Sequence, residues 1–303
     1  MFGSPIDYDT PLFRPPSESE SLLVQVTLGC SHNKCTYCGM YRTKKYLERP
    51  IEKVVEEIKS ARKWFDKMGH YPRKAFLCDG DALNAPTENL FKAVREIKKY
   101  FPEIVRVGVY ATAQNMLDKS EDELKELCDA GLGIVYLGLE SGSDKVLKLI
   151  VKGNTRDDMI KGSLKIKEAG FKISMIVMLG VAGRELSKEH CSETAEVVKI
   201  VRPDFLSFLT TTVIPDSPYD RMIKKGKISP LTHRELLVEM RDILCGIEGM
   251  DGARSIFRAN HVSNQFPLSG ILPRDIPKLL LTLDGWISKC PEGTYPEMDY
   301  RML

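Results

Sequence analysis

"GCSHNKCTYCGMY" runs from Gly29 to Tyr41 and directly follows the apolar stretch "SLLVQVTL" of residues 21–28. It holds Cys30, Cys35 and Cys38, three of the chain's eight cysteines. The other five, Cys78, Cys128, Cys191, Cys245 and Cys290, stand singly and far apart. They read as buried small hydrophobes. The opening "MFGSPIDYDTPLFRPPSESES" has neither a basic n-region nor an apolar h-region, so it does not read as a secretory signal. The expectation is a cytoplasmic protein with reduced thiols. In that setting a thiol cluster points to metal or redox chemistry before a disulfide framework.

Outward from the loop, apolar runs alternate with helical stretches. "SLLVQVTL" (21–28), "KAFLCDGD" (74–81), "VRVGVYAT" (105–112), "GIVYLGLES" (133–141), "FKISMIVMLG" (171–180) and "DFLSFLTTTVIP" (204–215) read as strands. "PIEKVVEEIKSARKWFDKMG" (50–69), "TENLFKAVREIKKYF" (87–101, Thr87 as N-cap), "SEDELKELCDAG" (120–131), two pieces before Gly170, and "SKEHCSETAEVVKIV" (187–201) read as helices. Ser120 and Glu123 make a capping box, and Gly131 a stop. Strands each followed by a helix predict an α/β fold with a parallel sheet. No phosphate-binding P-loop occurs, and no G-x-G-x-x-G follows the first strand, which argues against a doubly wound nucleotide-binding fold. A partial (β/α)6 TIM-like barrel fits better. Its chemistry lies at the C-terminal ends of the strands, where the cysteine loop falls.

The predicted organisation is an N-terminal arm (1–20), a barrel (21–215) and a short C-terminal closing segment (216–303). That last segment reads as helical over 232–247 and 274–290 and packs on the barrel, with "RSIFRANHVSN" (254–264) as a possible short strand leading into a polar loop. Lys plus Arg is 44 against 42 for Asp plus Glu, a net charge of +2. That balance gives no electrostatic case for a nucleic-acid or membrane partner. No stretch approaches the roughly 20 consecutive apolar residues of a membrane span.

Three soft ligands on one short loop bind a metal. In one reading the metal is structural zinc, with His32 or a distant residue as fourth ligand. Such sites usually join two ligand pairs, and only Cys35 and Cys38 have the C-x2-C spacing. In the other reading three thiolates hold a [4Fe–4S] cluster, which normally takes four, so one iron stays open.

At this point the loop resembles the cluster loop of the radical S-adenosylmethionine (radical SAM) superfamily. The spacing is C-x4-C-x2-C, one residue longer than the family's common C-x3-C-x2-C. Tyr37 matches the aromatic residue that packs near the adenine there. The resemblance implies a [4Fe–4S] cluster on Cys30, Cys35 and Cys38, and S-adenosyl-L-methionine (SAM) as second cofactor. "DGDAL" (79–83) stands at the family's turn for the cofactor's ammonium group, which carries Gly80 and Asp81 over as cofactor contacts. "LGLES" (137–141) is similar to the segment meeting the ribose and methionine part, through Glu140 and Ser141. Lys152, in "VKGNT" (151–155), stands where relatives place an Arg against the carboxylate. "VMLGVAG" (177–183) resembles the segment near the adenine. The likeness covers roughly residues 21–215 and looks closest to the branch of anaerobic coproporphyrinogen oxidase and the Elongator catalytic subunit.

The resemblance implies an enzyme that cleaves SAM reductively and abstracts a hydrogen atom. The implied partners are a small-molecule or cofactor-precursor substrate and a flavodoxin- or ferredoxin-type electron donor. A non-catalytic relative serving haem trafficking or cofactor assembly is the alternative, with structural zinc the second. Asp79 reads equally as a loop residue and as a cofactor contact. Tyr110, Gln114 and Asn115 follow the third strand and are substrate candidates by position. His261 and Asn264 suit a substrate or a loop-ordering role alike. His190 reads as exposed or capping.

Overall fold

The structure is a computed structural model that describes residues 5–250, 252 and 254–296. Two compact units interleave along the chain. One comprises residues up to Asn33, Met40–Leu137 and Gly162–Ile173; the other comprises Lys34–Gly39, Gly138–Lys161 and the chain from Ser174 onward.

In the first unit the elements are β1 (Leu22–Gln25), β2 (Thr27–Leu28), β3 (Leu47–Glu48), α1 (Ile51–Met68), β4 (Lys74–Cys78), α2 (Thr87–Tyr100), β5 (Arg106–Ala111), α3 (Ala113–Asp118), α4 (Glu121–Ala130) and β6 (Leu132–Glu140), whose last three residues pass into the second unit. β1, β4, β5 and β6 pair in parallel in that order. β4 reads as an unbroken apolar run because Ala75, Phe76, Leu77 and Cys78 are all buried, the pattern of a strand covered on both faces. α1 and α2 bury one stripe each, Val54, Val55, Ile58 and Ala61 on one and Leu90, Ala93, Val94 and Ile97 on the other. α4 has the predicted capping box of Ser120 and Glu123, and Gly131 closes it at φ +114°. Thr87, read as the N-cap of α2, is instead its first helical residue after Pro86, and its hydroxyl donates to Glu123 at 2.6 Å. The described part of the arm is tied down: Asp9 and Gln25 exchange two hydrogen bonds of 2.9 Å.

The second unit follows with α5 (Asp144–Leu149), α6 (Arg156–Glu168, which runs back into the first unit), β7 (Lys172–Leu179), α7 (Gly183–Val201), β8 (Phe205–Thr210), α8 (Pro218–Lys224), α9 (His233–Gly246), β9 (Ser255–Ala259), β10 (Leu268–Leu272) and α10 (Ile276–Lys289). β7, β8 and β9 are parallel, and β10 returns antiparallel to β9. The class is therefore α/β with mostly parallel strands, and from β1 to β8 six long strands are each followed by helix, as predicted. The chain beyond 215 contributes β9 and β10 as well as helices. β8 stops at Thr210, so the polar "TTVIP" that follows is loop. α7 starts at Gly183, four residues before the expected Ser187; Arg184, Glu185 and Leu186 are good helix formers that extend it toward the N-terminus. Cys78, Cys191 and Cys290 are buried as expected; Cys128 is half-buried and Cys245 exposed. Among the described residues no helix is long and apolar enough to cross a membrane.

Candidate active site

The cysteine loop passes from one unit to the other, so its two halves are anchored separately. Cys30 belongs to the first half. Asp79, fully buried just past β4, accepts hydrogen bonds from the Gly29 amide (3.0 Å), Gln25 Nε2 (3.1 Å) and Lys44 Nζ (3.0 Å). Burial raises the pKa of its carboxyl, while these donors act the other way. Asp81, also buried, accepts from the Ser31 amide at 2.9 Å and from the Ser31 hydroxyl. Between them the Gly80 amide donates to the Gly29 carbonyl at 3.0 Å. A Cβ on Gly80 would stand 2.8 Å from the Tyr41 ring and 2.9 Å from Cys30 Cβ, a space only glycine fits. "DGD" thus clamps the start of the loop. Cys30 Sγ in turn accepts from the Asn33 amide at 3.5 Å, a contact that favours a thiolate.

Cys35 and Cys38 belong to the second half. The Cys38 amide donates to the Cys35 carbonyl at 3.2 Å, closing a turn between the two cysteines. The Thr36 amide donates to the Ile150 carbonyl at 2.8 Å, and the Tyr219 amide donates to Thr36. The Tyr37 hydroxyl donates to Glu140; burial, then Glu140, Cys35 and Cys38, hold its pKa well above the usual phenol range.

Glu140 ends β6 at φ +63°, a left-handed conformation that is uncommon for a side-chain-bearing residue. It is buried and receives Lys152 Nζ at 2.8 Å. Tyr37, Glu140 and Lys152, three residues predicted from scattered segments, are therefore brought together. Ser141, fully buried, contacts His190 Nδ1 at 2.8 Å and accepts from the Ser143 amide at 3.1 Å. Next to it the Gly142 amide donates to Thr194 Oγ1 at 2.9 Å.

His190, read as exposed or capping, is completely buried, and desolvation lowers its pKa to about 4. Its Nε2 is 4.0 Å from Glu239 Oε2 and has no hydrogen-bond partner. Glu239 lies buried on α9, accepting from Ser187 Oγ (2.7 Å) and from the Gly180 amide. Desolvation raises its pKa to about 7. Sequence reasoning missed Glu239, although a signal was present: it interrupts the apolar stripe of Leu236, Met240 and Ile243.

Other candidates have different roles. Asn264 accepts from Thr210 Oγ1 (2.8 Å) and donates to the Phe208 carbonyl (2.6 Å); His261 Nδ1 meets Ser263 Oγ (2.9 Å), which accepts from the Thr210 amide. The pair orders the loop after β9. Asn115 closes the capping box of α3, exposed Gln114 bonds Asp118, and the Tyr110 ring packs on Phe76 and Tyr136. At the ends of β7 and β8 the second unit has a cavity of about 660 Å³, lined by residues including Leu179, Thr210, Thr212, Met240, Asn264 and Phe266. No Asp, Glu, Lys or Arg lines it among the described residues.

Among the described residues no three His, Cys, Asp or Glu side chains stand close enough together to hold a metal ion. Cys30, Cys35 and Cys38 are nevertheless unbridged by disulfides and half-exposed. As three soft donors on one loop they fit an iron–sulfur cluster by their chemistry.

The family description "Radical SAM superfamily" matches residues 24–198. An uncharacterized protein of Methanocaldococcus jannaschii is 25% identical over 73% of this chain and 70% of its own length. The haem chaperone HemW of Bacillus subtilis is 23% identical over 71% of this chain, and the chain spans 56% of it. Among solved structures, coproporphyrinogen III oxidase (HemN) of Escherichia coli aligns with TM-score 0.56 at 18% identity, over 74% of this chain and 50% of that one. The archaeal Methanocaldococcus infernus Elp3 aligns with TM-score 0.53 at 16% identity, over 89% and 63%. These two have the TIM-like barrel of the branch that the loop resembles. The chain belongs to the radical SAM superfamily, whose members are mostly enzymes.

Proposed function

We propose that Cys30, Cys35 and Cys38 hold a [4Fe–4S] cluster and that the chain binds SAM beside it, to act on a small substrate. When bound on Cys30, Cys35 and Cys38, such a cluster would supply an open iron for SAM and the electron for its reductive cleavage, the chemistry from which hydrogen abstraction would follow. The protein's own residues position and shield. The observation that carries this reading is the cluster of Tyr37, Glu140 and Lys152 at the end of β6, on the same unit as the Cys35–Cys38 turn.

In this arrangement Lys152 supplies a positive point charge to a carboxylate, without the bidentate fork of an Arg. Glu140 and Ser141 serve the ribose and methionine part, and Tyr37 the adenine side. Gly80 lets backbone approach the ammonium group, and Asp81 keeps Ser31 and the loop in place. The cavity at the ends of β7 and β8, lined among the described residues by no Asp, Glu, Lys or Arg, favours a small molecule or cofactor precursor over a polyanion, as does the net charge of +2. A flavodoxin- or ferredoxin-type protein in the cytoplasm would supply the electron.

The test is an anaerobic reconstitution with dithionite and SAM. The expected result is 5′-deoxyadenosine from the parent protein and none from Cys38→Ala. The likeness to HemW favours a second reading, a cluster-binding protein in haem trafficking. Stoichiometric haem binding without 5′-deoxyadenosine would support that reading instead.

A further inference from the structure

Beneath the end of β6 lies a buried polar chain that the proposed cofactor contacts do not explain. It runs from Ser141 through His190 to Glu239, and from Glu239 to the Gly180 amide just past β7. It thus joins the two segments, "LGLES" and "VMLGVAG", that the family resemblance assigns to the cofactor. Ser141, His190 and Glu239 are all essentially without solvent exposure. His190 Nε2 has no hydrogen-bond partner, and Glu239 Oε2 stands 4.0 Å from it. A buried ring nitrogen left unpaired is costly, so closing the 4.0 Å gap to Glu239 would stabilise it.

We infer that Glu239 sets the tautomer of His190, and that this decides whether the Ser141 hydroxyl is free to donate to a ligand at the end of β6. The inference rests on the SAM-binding reading above and concerns how that site is held.

Two states balance. With Glu239 protonated, its O–H faces His190 Nε2 as a donor. The ring proton then sits on Nδ1 and donates to Ser141 Oγ. Ser141 Oγ already accepts from the Ser143 amide, so its own hydrogen points onward to the ligand. With Glu239 ionised, the carboxylate takes Nε2–H as donor. Nδ1 becomes an acceptor, and Ser141 O–H, at 2.8 Å, turns back to it in preference to Thr194 Oγ1 at 3.4 Å. Between the states the Glu239 proton passes to Nε2, the Nδ1 proton leaves to solvent, and one proton in all is released. A histidine tautomer is fixed by the hydrogen bond its other nitrogen makes.

The surroundings allow Glu239 to change state near neutrality, as its raised pKa of about 7 indicates. From α7 it faces His190 and Cys191, whose thiol donates to the Glu239 carbonyl. From α8 it faces Tyr219, whose hydroxyl donates to the Gly180 and Val181 carbonyls. On α9 itself Asp242 and Glu235 add negative charge that disfavours ionisation. From α10, Asp284 is held by Arg241 at 2.6 Å on an exposed face.

Two readouts test this on the anaerobically reconstituted full chain. The first is nitrogen NMR of the five histidines at pH 6 and pH 8, without ligand. His190 is expected as the Nδ1–H tautomer at pH 6 and Nε2–H at pH 8, and to keep Nδ1–H at both in Glu239→Gln. One tautomer throughout in the parent protein overturns the inference. The second is SAM affinity over the same range. It is expected to weaken about tenfold through pH 7 in the parent, the size of one hydrogen bond. It should be flat and tight in Glu239→Gln, and flat and weak in Ser141→Ala. Parallel pH profiles in all three overturn the coupling to Ser141. A tautomer change with no SAM binding at any pH overturns the cofactor reading and leaves the switch supported.

Discussion

Lys152 Nζ stands 2.8 Å from Glu140 Oε1, and both side chains are nearly withdrawn from water, at 10% and 7% exposure. Lys152 is therefore the counter-ion of a buried carboxylate. Lys152→Met leaves a buried carboxylate without its counter-ion, which costs about 3 kcal/mol or more. Glu140→Gln in the same chain removes that charge. Urea unfolding should show the single Lys152 variant well below the parent and the double variant recovering most of the loss. Recovery of stability without recovery of SAM binding would separate the two roles of the lysine.

Gly80 and Gly285 make an opposed pair. Gly80→Ala puts a Cβ 2.8 Å from Tyr41 and 2.9 Å from Cys30 Cβ. The expected cost is about 1–3 kcal/mol, with reduced iron loading because the loop itself is displaced. Gly285 is inside α10 with nothing within 4 Å of its would-be Cβ. Gly285→Ala should stabilise by about 0.5–1 kcal/mol and leave iron loading alone. Thermal melting with an iron assay reads both.

His190 and Glu239 impose opposite pH slopes on stability. His190 has its pKa lowered to about 4, so the unfolded chain binds more protons from about 6.5 down to 4, and stability falls as pH falls through that window. Glu239 is raised to about 7, so the folded chain binds more protons between about 4.5 and 7, and stability falls as pH rises. Each slope is worth about 3 kcal/mol, and together they nearly offset. Glu239→Gln should expose the histidine slope, losing stability on acidification from pH 6.5 to 4. His190→Gln should expose the other, losing stability from pH 4.5 to 7. Denaturant midpoints across pH 4–8 check both signs.

What was legible in the sequence was local. Cys30, Cys35 and Cys38 are read from spacing, and the α4 box of Ser120 and Glu123 from chemistry confined to one turn. The six strands preceding residue 216 were legible because buried parallel strands are continuous apolar runs. The unread parts depend on partners far along the chain. His190 looks solvent-facing among "SKEHCSE", and only the packing of α9 against α7 buries it. β10 has a weak pattern in "LSGIL" and owes its existence to pairing with β9. Asp79 and Asp81 were read from their place after the second strand, as loop residues or cofactor contacts; their role as clamps on Gly29 and Ser31 required the fold to bring residues fifty apart together.

The central claim is that three thiolates hold a cluster with one iron open to SAM. Its most direct test is iron and sulfide analysis of the reconstituted chain, followed by electron paramagnetic resonance of the reduced protein before and after adding SAM. The account predicts about four irons and four sulfides per chain and a signal that changes when SAM is added. Zinc in place of iron, or a cluster signal indifferent to SAM, would contradict it.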